Sequence, residues 1–201
     1  MDKEQERARF FDERAAEWER NCYPAPVRQR LWPMVEGFAL PVGGHVLDMG
    51  TGPGTLIPYL RRAIGPQGRI TAFDASPGMV AVARVKCMDD RTEVLCSSAM
   101  DMPFEAGRFD AVVCFAAFPH FSDKPRALCE MARVAKPGAR IVIAHLLGRR
   151  QLEAHHGSHP AVADDRLPGD EALCALFLQA GLPAPQVTSR ENYYEASSIK
   201  P

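Results

Sequence analysis

From Val46 to Leu56 the chain reads Val-Leu-Asp-Met-Gly-Thr-Gly-Pro-Gly-Thr-Leu, a short apolar run closed by an acid and three glycines at alternate positions. Such a stretch predicts a strand that feeds a tight turn and then a helix beginning near Thr55. Glycines at 50, 52 and 54 allow positive φ and leave no side chain between a ligand and the backbone. The first N–H groups of the helix would suit an anionic or strongly polar ligand. A glycine-rich turn alone is also compatible with an ordinary strand-to-helix connection, so the rest of the chain has to discriminate.

A chain of 201 residues with 46% hydrophobic and 24% charged residues predicts one soluble globular domain. It divides into amino-terminal helices (1–44), a ligand-binding core (45–146), an insertion or lid (147–169) and a carboxyl-terminal helix with edge strands (170–201). The formal net charge of −1 gives no general attraction to nucleic acid or an anionic membrane, so neither is expected as a partner. No apolar run approaches the ~20 residues that span a bilayer, and the opening Met-Asp-Lys-Glu-Gln-Glu-Arg has no signal-peptide core. A cytoplasmic protein is expected. Six cysteines without a Cys-x-x-Cys pair predict reduced, mostly buried thiols.

Residues 4–20 place Phe10, Phe11, Ala15 and Trp18 at helical spacing, and 26–38 do the same with Leu31, Trp32, Val35 and Phe38. These helices either pack on the sheet or close their aromatics over a ligand. From His45 onward, short apolar strands alternate with helical segments, the pattern of a parallel α/β sheet. Strands are predicted at 45–49, 69–73, 93–96, 109–114 and 140–145, with helices at 55–64, 77–88 and 124–135. A helix at 170–180 and short strands at 186–189 and 193–197 complete the chain.

The second strand ends at Asp74, 24 residues after Gly50. In a doubly wound sheet that position lies beside the glycine turn, where a carboxylate can accept hydrogen bonds from both hydroxyls of a ribose. Asp74 could instead cap the next helix, but Ser76 before Pro77 already suits that role.

With these residues in place the chain resembles the class I S-adenosylmethionine-dependent methyltransferases, in particular the small-molecule, ubiquinone/menaquinone-biosynthesis type. Residues 46–54 are similar to its acid-then-Gly-x-Gly-x-Gly motif, and the ribose acid falls on Asp74. Ser97-Ser-Ala-Met-Asp-Met-Pro-Phe104 resembles its adenine segment, with Ser98 where an acid is usual. Residues 109–121 and Arg133-Val-Ala-Lys-Pro-Gly138 resemble its fourth strand and the turn before its fifth. The resemblance implies a doubly wound, Rossmann-like, mostly parallel seven-stranded sheet with an antiparallel carboxyl-terminal edge and helices on both faces. It also implies S-adenosylmethionine as cofactor, bound through Asp48, Gly50, Thr51, Gly52, Asp74, Ala75, Ser98, Ala99, Met100 and Cys114, and a small-molecule methyl acceptor. A nicotinamide cofactor fits poorly, because Gly-x-Gly-x-x-Gly would need glycine where Thr55 stands. The alternative from another class is a protein that binds S-adenosylmethionine in a regulatory or assembly role without catalysis.

Methyl transfer needs an aligned nucleophile and, when that nucleophile carries a proton, a base. His120, just beyond the fourth strand, and His145, ending the fifth, are the candidates at the ligand-bearing edge. For His120 a structural place beside Phe118 and Phe121 is an equal reading. His155, His156 and His159 lie in the polar insertion; with His145 they could hold a divalent metal, but a substrate lid is the favoured reading. Tyr193 is a further candidate for the acceptor side.

Overall fold

The computed structural model describes residues 3–87, 89–157, 162 and 164–201. Seven strands form one sheet in the order β3-β2-β1-β4-β5-β7-β6. They are β1 (His45–Met49), β2 (Arg69–Asp74), β3 (Thr92–Cys96), β4 (Phe109–Phe115), β5 (Ala135–His145), β6 (Gln186–Arg190) and β7 (Tyr193–Ile199). The first five pair in parallel, and β7 runs antiparallel between β5 and β6. The chain order reverses between β1 and β4, and ligands of open α/β sheets bind beyond the strand ends at such a reversal.

The parallel strands are buried on both faces, and their alternation sorts side chains into two cores. On one face, Val46, Ala111, Val113 and Val142 pack with α4 (Leu31–Gly37), α5 (Ile57–Ile64) and α6 (Pro77–Arg84). On the other, Leu47, Val112, Cys114 and Ile143 meet α7 (Lys124–Val134) and α9 (Asp170–Gln179). Among the described residues no helix is long and apolar enough to cross a membrane.

Four boundaries depart from expectation. The amphipathic stretch 4–20 is two helices, α1 (Lys3–Asp12) and α2 (Ala15–Cys22). The break follows Asp12, whose carboxylate accepts from the Ser76 hydroxyl at 2.5 Å and the Gly78 N–H at 2.7 Å, so α1 ends on the start of α6. The stretch 26–38 likewise divides into α3 (Ala25–Arg28) and α4. Helix α6 stops at Arg84, because the N–H groups of Val85, Lys86 and Cys87 bond three residues back and tighten the chain into turns. Lys136-Pro-Gly138 lies within an extended β5, since Ala135 already pairs with Phe109.

The Arg133–Gly138 motif serves the site from behind. Arg133 bonds the carbonyls of Phe104 (2.6 Å) and Met102 (3.0 Å), while Glu130 accepts from Met102 N–H at 2.9 Å. These bonds pin the loop after β3 to α7. Lys136 bonds Asp110 at 2.7 Å, and Asp110 accepts from His45 N–H at 2.9 Å, joining the starts of β1, β4 and β5.

Candidate active site

The glycine turn leaves β1 and folds over the end of β2: Gly50 and Thr51 both donate to the Phe73 carbonyl at 2.9 Å. Gly50 has φ +69°, and a Cβ there would lie 2.4 Å from the Ala117 Cβ, so only glycine lets the segment after β4 approach. Gly52 has φ +55°, and nothing lies within 4 Å of the point where a Cβ would stand, which leaves open space above the turn. Residues 51–56 continue as turns, so α5 starts at Ile57, later than the expected Thr55.

Above this turn is a cleft of about 890 Å³, counted with its open mouth. Gly50, Thr51, Gly52, Asp74, Ala75, Ala99 and Met100 of the expected cofactor set line it. Asp74 accepts from Gly52 N–H at 2.8 Å on one oxygen and from Ser76 N–H at 3.0 Å on the other. Ala75 N–H is a third backbone donor to the carboxylate, which leaves about one of its roughly four acceptor sites for a ribose hydroxyl. Burial pushes the Asp74 carboxyl up, and the backbone donors oppose the rise.

Asp48 stands behind the turn rather than in the cleft wall. It is 1% exposed, accepts from the Thr51 hydroxyl at 2.6 Å, and has its carboxyl pushed up to about 7, chiefly by burial. The Thr51 bond opposes that rise, and the Asp74 charge adds to it. Two further residues of the expected set lie outside the cleft lining. Cys114 is fully buried on the α7–α9 face, because strand alternation turns its neighbour Phe115 toward the clefts instead. The Ser98 hydroxyl accepts from Met100 N–H at 3.2 Å within its own loop, and Ser97 takes the place in the cleft lining.

A second, larger chamber of about 1580 Å³, counted the same way, lies against the first. Phe11, Trp18, Tyr23, Phe115, Ala116 and His120 line both. The chamber is also lined by His145, 2% exposed, with Leu146 and Leu152, and Glu13, Arg14, Glu17 and Arg30 supply its charged lining. His120 is held by Asp165, whose carboxylate lies 2.8 Å from Nδ1 and is 1% exposed. Burial alone would push the Asp165 carboxyl up; bonds from His120 and Arg7 outweigh it and hold the group below the usual carboxylate range.

Tyr193 joins neither lining; its hydroxyl bonds Glu195 beside it on the edge strand. His155 and His156 fall on α8 (Arg149–Gly157), with side chains outside the described residues, and His159 lies wholly outside them. Among the described residues no three His, Cys, Asp or Glu side chains gather as a metal site requires. Sequence reasoning missed Arg7 and Asp165. The aromatics of α1 and α2 were marked by their helical spacing, and Phe11 and Trp18 line both clefts.

The donor set fits a nucleoside with a polar tail. Asp74 faces the cleft with acceptor capacity left beyond its backbone donors, and two buried polar atoms of cleft-lining residues, Thr55 Oγ1 and Arg7 Nη1, have no partner among the described residues. Sheet order and the glycine turn with Asp74 beside it are those of a class I S-adenosylmethionine-dependent methyltransferase, and the matched core of the chain belongs to the methyltransferase domain family. Its motif set is of the ubiquinone/menaquinone-biosynthesis type. Residues 47–143 match the family described as "Methyltransferase domain". A ubiquinone/menaquinone biosynthesis C-methyltransferase UbiE from Hahella chejuensis is 31% identical over 149 residues, 71% of this chain and 60% of that one. The counterpart from Burkholderia mallei is 36% identical over 103 residues, 50% of this chain and 42% of that one. The chain thus spans less than two thirds of the length of these curated relatives. A structure of a SAM-dependent methyltransferase from Aquifex aeolicus has a TM-score of 0.76 at 23% identity, covering 93% of this chain and 98% of that one. The geranyl diphosphate C-methyltransferase of Streptomyces coelicolor A3(2) reaches 0.79 at 12% identity, covering 100% and 99%. These two likenesses concern the fold.

Proposed function

We propose that this protein transfers a methyl group from S-adenosylmethionine to a small molecule with an apolar body seated in the chamber beside α1 and α2. The observation that carries the proposal is the shared wall: six side chains line both clefts, so two ligands would meet there. When bound, S-adenosylmethionine supplies an electrophilic methyl on a sulfonium and leaves as S-adenosylhomocysteine. Asp74 holds the ribose, and Ala99 and Met100 flank the adenine. Phe11, Trp18 and Phe115 exclude water where the ligands meet, and positioning of this kind accounts for ~7–11 kcal/mol of barrier reduction in favourable cases.

His120 takes the acceptor's proton on Nε2, while Asp165 fixes Nδ1 and favours the imidazolium that forms. His145 orients the acceptor from the far side of the chamber. The names of the curated relatives favour carbon as the methylated atom. The cytoplasmic setting and single-domain organisation expected from the sequence belong to the same proposal.

The test is transfer of labelled methyl from S-adenosylmethionine to a panel of apolar-bodied carbon, oxygen and nitrogen nucleophiles. Turnover on an apolar-bodied member and none on polyanions supports the reading. Cofactor binding with no transfer across the panel would favour the non-catalytic alternative.

A further inference from the structure

We propose that Arg7 of α1 is the cation that holds the cofactor's methionine carboxylate, with Asp165 as its positioning residue. The inference rests on the methyltransferase reading and names a contact that the glycine turn does not supply. Arg7 Nε lies 2.9 and 3.0 Å from the two Asp165 oxygens, and Nη2 bonds one of them as well. One edge of the guanidinium is therefore fixed. Its remaining nitrogen, Nη1, is buried without a partner among the described residues, in a side chain only 16% exposed. A buried donor left unsatisfied costs about 1–3 kcal/mol, and a ligand acceptor would remove that cost.

Two observations identify the acceptor. Arg7 is the only arginine or lysine among the described residues that line the cofactor cleft. Lys124, the next cation to feel Asp165, donates instead to the Phe121 carbonyl at 3.1 Å. The sheet order then sets the direction of the ligand: Ser97, Ala99 and Met100 follow β3, Asp74 ends β2, the glycine turn leaves β1, and His120 follows β4. Through Asp165, Arg7 is tied to His120, at the end of the cleft farthest from the adenine segment. The group of S-adenosylmethionine that reaches this end is its amino-acid tail, and a planar guanidinium edge is matched to a carboxylate. Asp165 thereby holds both the tail-binding cation and the proton acceptor, so α1 must be docked for either to be in place.

Calorimetry with two ligands tests this. S-adenosylhomocysteine carries the carboxylate; its decarboxylated analogue, adenosyl-3-thiopropylamine, keeps the nucleoside and ammonium. We expect Arg7→Met to weaken S-adenosylhomocysteine ~10–100-fold and leave the analogue within ~2-fold. Asp165→Asn should weaken S-adenosylhomocysteine ~3–10-fold with the analogue again unchanged. Retained analogue binding reports that each variant is folded. If Arg7→Met leaves both affinities unchanged, or lowers both alike, Arg7 only staples α1 and the inference is overturned. If the wild-type protein binds neither ligand, the methyltransferase reading itself falls.

Discussion

The cofactor cleft and the chamber beside it share one wall but are built on different principles. The cleft is made mostly by turns that leave the carboxyl ends of adjacent parallel strands, with backbone groups close to the ligand space. The chamber is made by side chains of α1 and α2, the segment after β5 and Val162, parts of the chain far apart in sequence. Backbone-built sites tolerate sequence change as long as glycines and caps remain, whereas side-chain-built sites change with every residue. One chain can therefore keep a common cofactor site and carry an individual acceptor site.

This division predicts separable losses. The largest expected effect is on chemistry: His120→Ala should lower kcat ~10²–10⁴-fold by removing the proposed base, with cofactor affinity within ~3-fold. Comparable loss of cofactor binding in single-turnover and equilibrium experiments would break the distinction between the two regions. Next comes Asp74→Ala, which removes the proposed ribose acceptor and strands the N–H groups of Gly52 and Ser76. S-adenosylhomocysteine should bind ~30–1,000-fold more weakly, corresponding to ~2–4 kcal/mol; an unchanged isotherm would remove Asp74 from the site.

Gly50→Ala comes third and acts through the fold. The added Cβ would meet Ala117 at 2.4 Å from a backbone with φ +69°. We expect a loss of ~2–4 kcal/mol, read as a melting temperature lower by roughly 5–15 °C. A wild-type melting curve would show that the turn can rearrange.

The smallest effect concerns Asp48 and pH. Its carboxyl rises from 3.8 to about 7 on folding, mainly by burial, so the folded state binds the extra proton between those values. Stability from this group then falls as pH rises through that window, and the penalty is complete above it. Asp48→Asn should therefore be more stable than wild type at pH 8, by ~1–3 kcal/mol, with the gap closing toward pH 5. Urea midpoints at the two pH values check the sign; a gap that widens on acidification would contradict it.

The same contrast explains what could be read from the sequence. The parallel strands, the glycine turn, the place of Asp74 and the Ser76 cap were legible because each depends on a few contiguous residues and local backbone chemistry. Ser76 does accept from Met79 N–H at 3.0 Å. Cys114 and Ser98 show that resemblance fixes a position on the chain, while strand alternation and loop bonding decide which neighbour lines the cleft. The Arg7–Asp165–His120 cluster was invisible: its members are 158 and 45 positions apart, and no local pattern marks their meeting. The insertion was read through its histidines, yet among its described residues Asp165 bonds His120 of the shared wall.

The central claim is that one wall separates cofactor recognition from acceptor chemistry. Its most direct test is to titrate S-adenosylhomocysteine into wild-type, His120→Ala and Asp74→Ala proteins under one set of conditions, with methyl transfer measured on the same samples. The account predicts matching isotherms for wild type and His120→Ala, a lost or much weakened one for Asp74→Ala, and impaired transfer in both variants. Loss of S-adenosylhomocysteine binding in His120→Ala equal to that in Asp74→Ala would contradict it.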